Sequence, residues 1–134
     1  MILVDAGPLV ALVDADDQNH QSCTEALKKI REPLVTVWPA FTEAMYLVSD
    51  SSEAQEALWE MLTRNAIHIA PLTSNDVPRM RELMRKYSNR PMDLADAALV
   101  TVAERENIRK IFTVDRKDFA IYRLYGRTRL TLIP

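Results

Sequence analysis

The sequence predicts an α/β domain in which helices cover both faces of a mostly parallel sheet of roughly five strands. Three observations predict it. Short, wholly apolar runs such as Ile2-Leu3-Val4 and Ile111-Phe112 alternate with stretches whose apolar residues recur at helical spacing. Runs without a polar face suit strands buried on both sides. The chain has 134 residues, 48% of them hydrophobic, the size and composition of one domain with a real core. No repeat, linker or low-complexity tract interrupts the alternation, so residues 1–134 read as a single domain.

The elements follow in order. Ile2 to Val4 is the first strand, Gly7-Pro8 a turn, and Leu9 to Val13 a short helix. Asn19 is placed to cap a second helix through Ala26, Leu27 and Ile30 to about Arg31. Leu34 to Val37 is the second strand. Pro39 fits the first turn of a third helix carrying Phe41, Ala44, Met45 and Val48. Ser51 or Ser52 caps a fourth, with Ala54, Leu58, Met61 and Leu62 inward. Ile67 to Ile69 is the third strand, and a fifth helix after Thr73 carries Val77, Met80, Leu83 and Met84 at helical spacing. Pro91 opens a sixth helix, Met92 to about Glu106, whose small residues allow close packing on a sheet. Lys110 to Val114 and Leu130 to Ile133 are the last strands. Strands one and four are the natural centre.

Composition excludes several chemistries. The lone Cys23 cannot form an internal disulfide and reads as a packed thiol. His20 and His68 lie far apart and are expected in buried or capping roles, so zinc sites and His-based triads find no residues. Two glycines cannot build a P-loop or a dinucleotide-binding loop. No run approaches the ~20 apolar residues of a bilayer span. The N-terminus lacks a basic region before its apolar run, so a cytoplasmic protein is expected. The net charge of −2 conceals a split, −7 over residues 1–67 and +5 over residues 68–134. Arg79, Arg81, Arg85, Lys86 and Arg90 form one basic group, and Arg105, Arg109, Lys110, Arg116 and Lys117 another. Basic residues beside an acidic site suit a phosphodiester.

Four acids stand out. Asp5 and Asp115 follow the first and fourth strands, and Glu43 and Asp96 lie in helices. Strand C-terminal ends open onto the ligand crevice of an α/β sheet. Carboxylates gathered there repel one another unless a cation joins them, and an all-oxygen set suits Mg²⁺ or Mn²⁺. Asp93 lies three residues before Asp96, on the same helix face, as a helix cap or a further metal contact. Asp14, Asp16 and Asp17 read as solvated loop.

These residues resemble the motifs of PIN-domain nucleases, in order and over almost the entire chain. Val4-Asp5 followed by Pro8-Leu9-Val10-Ala11-Leu12 is similar to the first motif, and Phe41-Thr42-Glu43-Ala44 to the second. Asp93-Leu94-Ala95-Asp96-Ala97-Ala98-Leu99 resembles the third, and Phe112-Thr113-Val114-Asp115-Arg116-Lys117-Asp118-Phe119 the fourth. The resemblance is greatest to compact VapC-type toxin ribonucleases. It implies a three-layer α/β/α fold in which Asp5, Glu43, Asp96 and Asp115 hold one or two Mg²⁺ or Mn²⁺ ions. It implies hydrolysis of RNA to 5′-phosphate and 3′-hydroxyl ends, a cognate antitoxin as partner, and a homodimer. The apolar fourth helix, with Leu58, Trp59, Met61 and Leu62, offers a partner surface or a core face. Asp118 is a further metal candidate or a helix cap before Phe119, and Thr113 is expected to orient Asp115.

One position departs from the family. Where Thr or Ser often follows the first Asp, this chain has Ala6-Gly7, and Thr42 or Thr113 would have to supply that hydroxyl. The departure keeps two alternatives open: an RNA-binding module with little hydrolysis, and an RNA-processing nuclease outside any toxin–antitoxin pair. A phosphoacceptor receiver domain fits less well, since Asp5 is alone at its strand end and no Lys follows the last strand.

Overall fold

The computed structural model describes residues 1–90 and 92–134. Five strands form the main sheet: β1 (Ile2–Val4), β2 (Leu34–Thr36), β3 (Ile67–Ile69), β4 (Lys110–Phe112) and β7 (Thr131–Ile133). Their order is β3-β2-β1-β4-β7, and every pairing is parallel. The chain winds outward from β1 through β2 to β3, then returns to place β4 on the other side of β1. The gap between the ends of β1 and β4 is thus a topological switch point, where helices leave in opposite directions and a crevice opens.

Strand alternation divides the core. Ile2, Val4, Leu34 and Phe112 face one side, packing with Leu9, Cys23, Phe41 and Leu58. Leu3, Val35 and Ile111 face the other, packing with Leu83, Leu99, Phe119 and Tyr122. The first side is covered by α1 (Ala6–Val13), α2 (His20–Lys29), α3 (Trp38–Leu47) and α4 (Ser52–Thr63). The second is covered by α5 (Val77–Lys86), which follows a 3₁₀ turn Ser74–Asp76, and α6 (Leu94–Glu106). This is the expected three-layer arrangement. Helix α6 is buried from Ala95 through Ala103, wedged among the sheet, α3 and α5. Only a helix of small residues fits so crowded a place.

The strands and most helices stand where the sequence puts them, with instructive differences. Gly7-Pro8 is not a turn but part of α1, because Asp5 itself is the N-cap and the helix starts one residue later. Gly7 is required there: a Cβ at this position would lie 2.4 Å from Val114 Cγ2. Asn19 occupies the cap position of α2 without a side-chain bond, whereas Ser51 Oγ accepts from Ala54 N at 3.1 Å and caps α4. Helix α6 begins at Leu94 because Asp93 is its cap. Pro91, expected to open that helix, lies outside the described residues.

Of the four residues at helical spacing in α5, Leu83 alone is fully buried, and Val77 and Met84 are 52% and 38% exposed. His68 is exposed on edge strand β3, not buried or capping, while His20 Nδ1 bonds Ala11 O at 2.6 Å. Two small elements have no strand or helix of their own in the sequence pattern beyond the suggested cap at Asp118, the four-residue helix α7 (Arg116–Phe119) and the hairpin β5 (Arg123–Leu124)–β6 (Thr128–Arg129). Both are too short to carry a periodic signal. No helix among the described residues is long and apolar enough to cross a membrane.

Candidate active site

The site lies at the switch point between β1 and β4. Val4 pairs with Phe112, and Asp5 N continues the ladder to Phe112 O at 3.0 Å. Asp5 therefore leaves β1 alongside Thr113, and Asp115 follows two residues on. Asp5, Asp93 and Asp115 are the N-caps of α1, α6 and α7. Asp96 sits in the first turn of α6 and Glu43 in α3. Three helix N-termini, the partially positive ends, thus carry carboxylates toward one place.

Each acid is held differently. Asp5 is buried; its Oδ1 accepts from Ala6 N at 2.8 Å and its Oδ2 from the Thr113 hydroxyl at 3.1 Å. Thr113 Oγ1 in turn accepts from Asp115 N at 3.0 Å. The expected hydroxyl bond between Thr113 and Asp115 is thus present, made to the Asp115 backbone N–H, and the same hydroxyl donates to Asp5. Of the two hydroxyls that could stand in at Ala6-Gly7, Thr113's is the one bonded to Asp5. Thr113 stands directly beside Asp5 because β4 pairs with β1, whereas Thr42 is exposed on α3.

Asp93 Oδ1 accepts from Asp96 N at 2.9 Å, so its capping role is realised. Asp118 is not a cap: Asp115 caps α7, with Asp118 N donating to its Oδ1 at 3.3 Å. Tyr122, which the sequence reading did not single out, is completely buried and donates its hydroxyl to Asp96 Oδ2 at 2.9 Å. It is locked edge-on against Phe119 and Tyr87, with ring centroids 5.2 and 5.0 Å away. A tyrosine after the fourth motif gives no local sign of this contact. Only the return of the chain past α7 onto α6 makes it.

The electrostatics link the acids into one group. Burial pushes Asp5 up to about 6, opposed by the Ala6 amide and the Thr113 hydroxyl and aided by repulsion from Glu43 and Asp115. Burial, then repulsion from Asp93 and Asp5, pushes Asp96 up to about 8 against the Tyr122 hydrogen bond. Asp115 is raised by burial and by Asp118 and Asp93, against the bond from the Asp118 amide. Glu43 is raised by burial and by Asp93. Tyr122 is raised by burial and by the adjacent Asp96 carboxylate, so it stays a donor. Burial is the first cause at Asp5, Glu43, Asp96 and Asp115, and a neighbouring carboxylate adds to it at each.

Among the described residues no three His, Cys, Asp or Glu side chains form a ready-made ion cage. The donor chemistry nevertheless fits a hard cation. The donors are all oxygen, and positive charge between them would remove the repulsion that now raises their proton affinities.

The basic groups are sorted by the fold. Arg79 Nε is paired with Glu104 at 2.7 Å, and Arg105 Nη1 with Asp76 at 2.5 Å. Lys110 is paired with Glu32 at the opposite end of β4 from Asp115. Those three serve structure. Arg116 and Lys117 are exposed in α7, next to Asp115 in the chain.

Fold and site together define an α/β domain with carboxylates gathered at its switch point, an all-oxygen donor set of the kind that suits a hard cation. Comparison with known proteins then specifies the family. Residues 2–125 match the PIN domain, and the chain belongs to that family. PIN nucleases generally use divalent metal ions. The chain is 29% identical to ribonuclease VapC26 of Mycobacterium tuberculosis (strain ATCC 25618 / H37Rv), covering 99% of this chain and 100% of that protein. Its fold is similar to that of M. tuberculosis VapC20, a sarcin–ricin loop cleaving toxin, with a TM-score of 0.79 and 17% identity. That likeness covers 87% of this chain and 92% of VapC20. A toxin–antitoxin complex from Klebsiella pneumoniae gives a TM-score of 0.69 at 18% identity, covering 90% and 92% of the two chains.

Proposed function

We propose that this protein is an Mg²⁺- or Mn²⁺-dependent endoribonuclease that hydrolyses RNA phosphodiester bonds as the toxin of a type II toxin–antitoxin pair. The observation that carries the proposal is the convergence of Asp5, Glu43, Asp96 and Asp115 from four elements at the switch point. Repulsion from Glu43 and Asp115 at Asp5, and from Asp5 and Asp115 at Asp96, adds to burial in raising their proton affinities and supports this reading. Whole-length similarity to a ribonuclease supports the substrate class.

Asp5, Glu43, Asp96 and Asp115 would hold the ion, with Asp93 and Asp118 at its margin. When bound, a hard divalent ion supplies an activated water and stabilises charge on the phosphate oxygens. The chain's own residues prepare for this. Thr113 fixes the Asp5 carboxylate, and Tyr122 fixes that of Asp96. Arg116 and Lys117 attract the RNA backbone. A cytoplasmic location, a cognate antitoxin and a homodimer complete the proposal. Exposed Tyr46, Leu47 and Trp59 supply apolar surface on α3 and α4, which Gln55 Nε2 ties together by donating to Met45 O at 3.2 Å.

The test is RNA cleavage in Mg²⁺ or Mn²⁺ by the wild type and by Asp5→Asn and Asp96→Asn, with circular dichroism to check the fold. Both variants lose cleavage while remaining folded; full activity in both would sink the assignment. The alternative of an RNA-binding module with little hydrolysis rested on Ala6-Gly7. The Thr113 hydroxyl bond to Asp5 answers that point, and favours hydrolysis.

A further inference from the structure

We infer that Trp38 is a stacking platform for an unpaired RNA base next to the scissile phosphate; the inference deepens the nuclease reading and rests on it. Trp38 opens α3 and is 49% exposed, although it is among the largest apolar side chains in the protein. It faces an open cleft of about 490 Å³ between the first turn of α3 and the start of α6. Pro39, Thr42 and Leu94 line the same cleft, and Leu94 is 51% exposed. The remaining walls include Glu43 and Asp93, two acids of the catalytic cluster. The cleft is therefore continuous with the carboxylate site.

The indole is held rather than free. Phe41 packs edge-on against it, with centroids 5.7 Å apart and planes at 83°. Trp59 backs Phe41 in turn, at 5.4 Å. An aromatic side chain fixed from beneath loses little entropy when a second ring stacks on it.

The lining decides what that ring is. Among the described lining residues none is basic, so the cleft offers no cationic partner to a further phosphate or to an acidic peptide. A nucleobase is flat and carries no net charge, and every base has a face to stack, so the platform tolerates sequence. The exposed Thr42 hydroxyl can both donate to and accept from a base edge. The division of labour is then simple. Arg116 and Lys117 take the backbone on one side of the acids, and Trp38 takes a base on the other.

The test uses the full chain and defined oligomers. Trp38 and Trp59 are the protein's two tryptophans, so Trp59→Phe leaves Trp38 as the reporter. With divalent ions chelated, single-stranded oligoadenosine and oligouridine quench this fluorescence, adenosine more strongly, and an abasic oligomer does not. Trp38→Ala weakens oligoadenosine binding roughly 5- to 150-fold, the usual worth of one base stack. Trp38→Phe retains most of the affinity, and the abasic oligomer binds wild type and Trp38→Ala alike. Unchanged affinity and unchanged kcat/KM in a folded Trp38→Ala would overturn the inference while leaving the nuclease standing. Quenching without cleavage by wild type in Mn²⁺ would support the platform and defeat the nuclease. Loss of self-association or peptide binding in Trp38→Ala, with RNA binding intact, would overturn it in favour of a protein-docking role.

Discussion

Replacing Thr113 by Val tests the logic of the site more sharply than removing a carboxylate. Valine has nearly the same shape, so at this completely buried position beside β1 the substitution changes the polar partner and not the space filled. What disappears is the hydroxyl that donates to Asp5 Oδ2 at 3.1 Å and accepts from Asp115 N at 3.0 Å. A hydrogen bond to a charged group contributes roughly 1.5–3 kcal/mol. Its loss raises Asp5 further above its present value of about 6 and frees Asp115 to drift. Groups that orient ligands typically change metal affinity about 10- to 100-fold, which agrees with that energy. Calorimetric titration with Mn²⁺ at pH 7 should therefore show a loss of this size, accompanied by slower RNA cleavage. The loss should shrink at pH 8.5, where Asp5 is ionised with or without the hydroxyl. Thr113→Ser, which keeps the donor, should stay near wild type. Equal Mn²⁺ affinity and cleavage in the Val variant at pH 7 would refute the argument that this hydroxyl replaces the one missing at Ala6-Gly7.

Further expectations concern the whole cluster. Asp5 and Asp96 hold protons more tightly folded than unfolded, where the ordinary value is 3.8. Their contribution to stability is complete below about pH 4 and lost as pH rises through 6 and 8. The thermal midpoint of the metal-free protein should accordingly fall between pH 5 and pH 8.5, and saturating Mn²⁺ should remove or reverse that fall; a metal-free midpoint rising over this range contradicts the assignment. Tyr122→Phe keeps the ring packing but removes a bond that lowers Asp96, so metal binding should shift to higher pH, with about 1–2 kcal/mol lost in denaturant unfolding. Gly7→Ala should destabilise by on the order of 1–3 kcal/mol, because the Val114 contact at 2.4 Å outweighs alanine's helix preference of about 1 kcal/mol. Combining it with Val114→Ala should recover part of the loss, and additive losses in the double variant would show that this contact is not the cause.

The sequence by itself determined the α/β alternation, since buried parallel strands must be apolar on both faces and Ile2-Leu3-Val4 and Ile111-Phe112 are. It also determined which acids to watch. Carboxylates just past such strands, with one more in a small-residue helix, stand at the edge where an α/β sheet opens onto its crevice. Asp93 as a cap was equally legible, because capping is a local interaction. Tertiary structure decided what local pattern cannot carry. Pairing of β1 with β4 set Thr113 beside Asp5, so the expected partner of Asp115 also holds Asp5. The turn of the chain after α7 brought Tyr122 to Asp96 from 26 residues away. Packing of α5 left Val77 and Met84 in solvent despite their helical spacing. Ion pairs across elements withdrew Arg79 and Arg105 from the basic surface that charge counting had suggested. Side-chain type and spacing report what a residue is able to do, whereas hydrogen bonds and burial between distant segments depend on which strands become neighbours, and that is set only when the whole sheet forms.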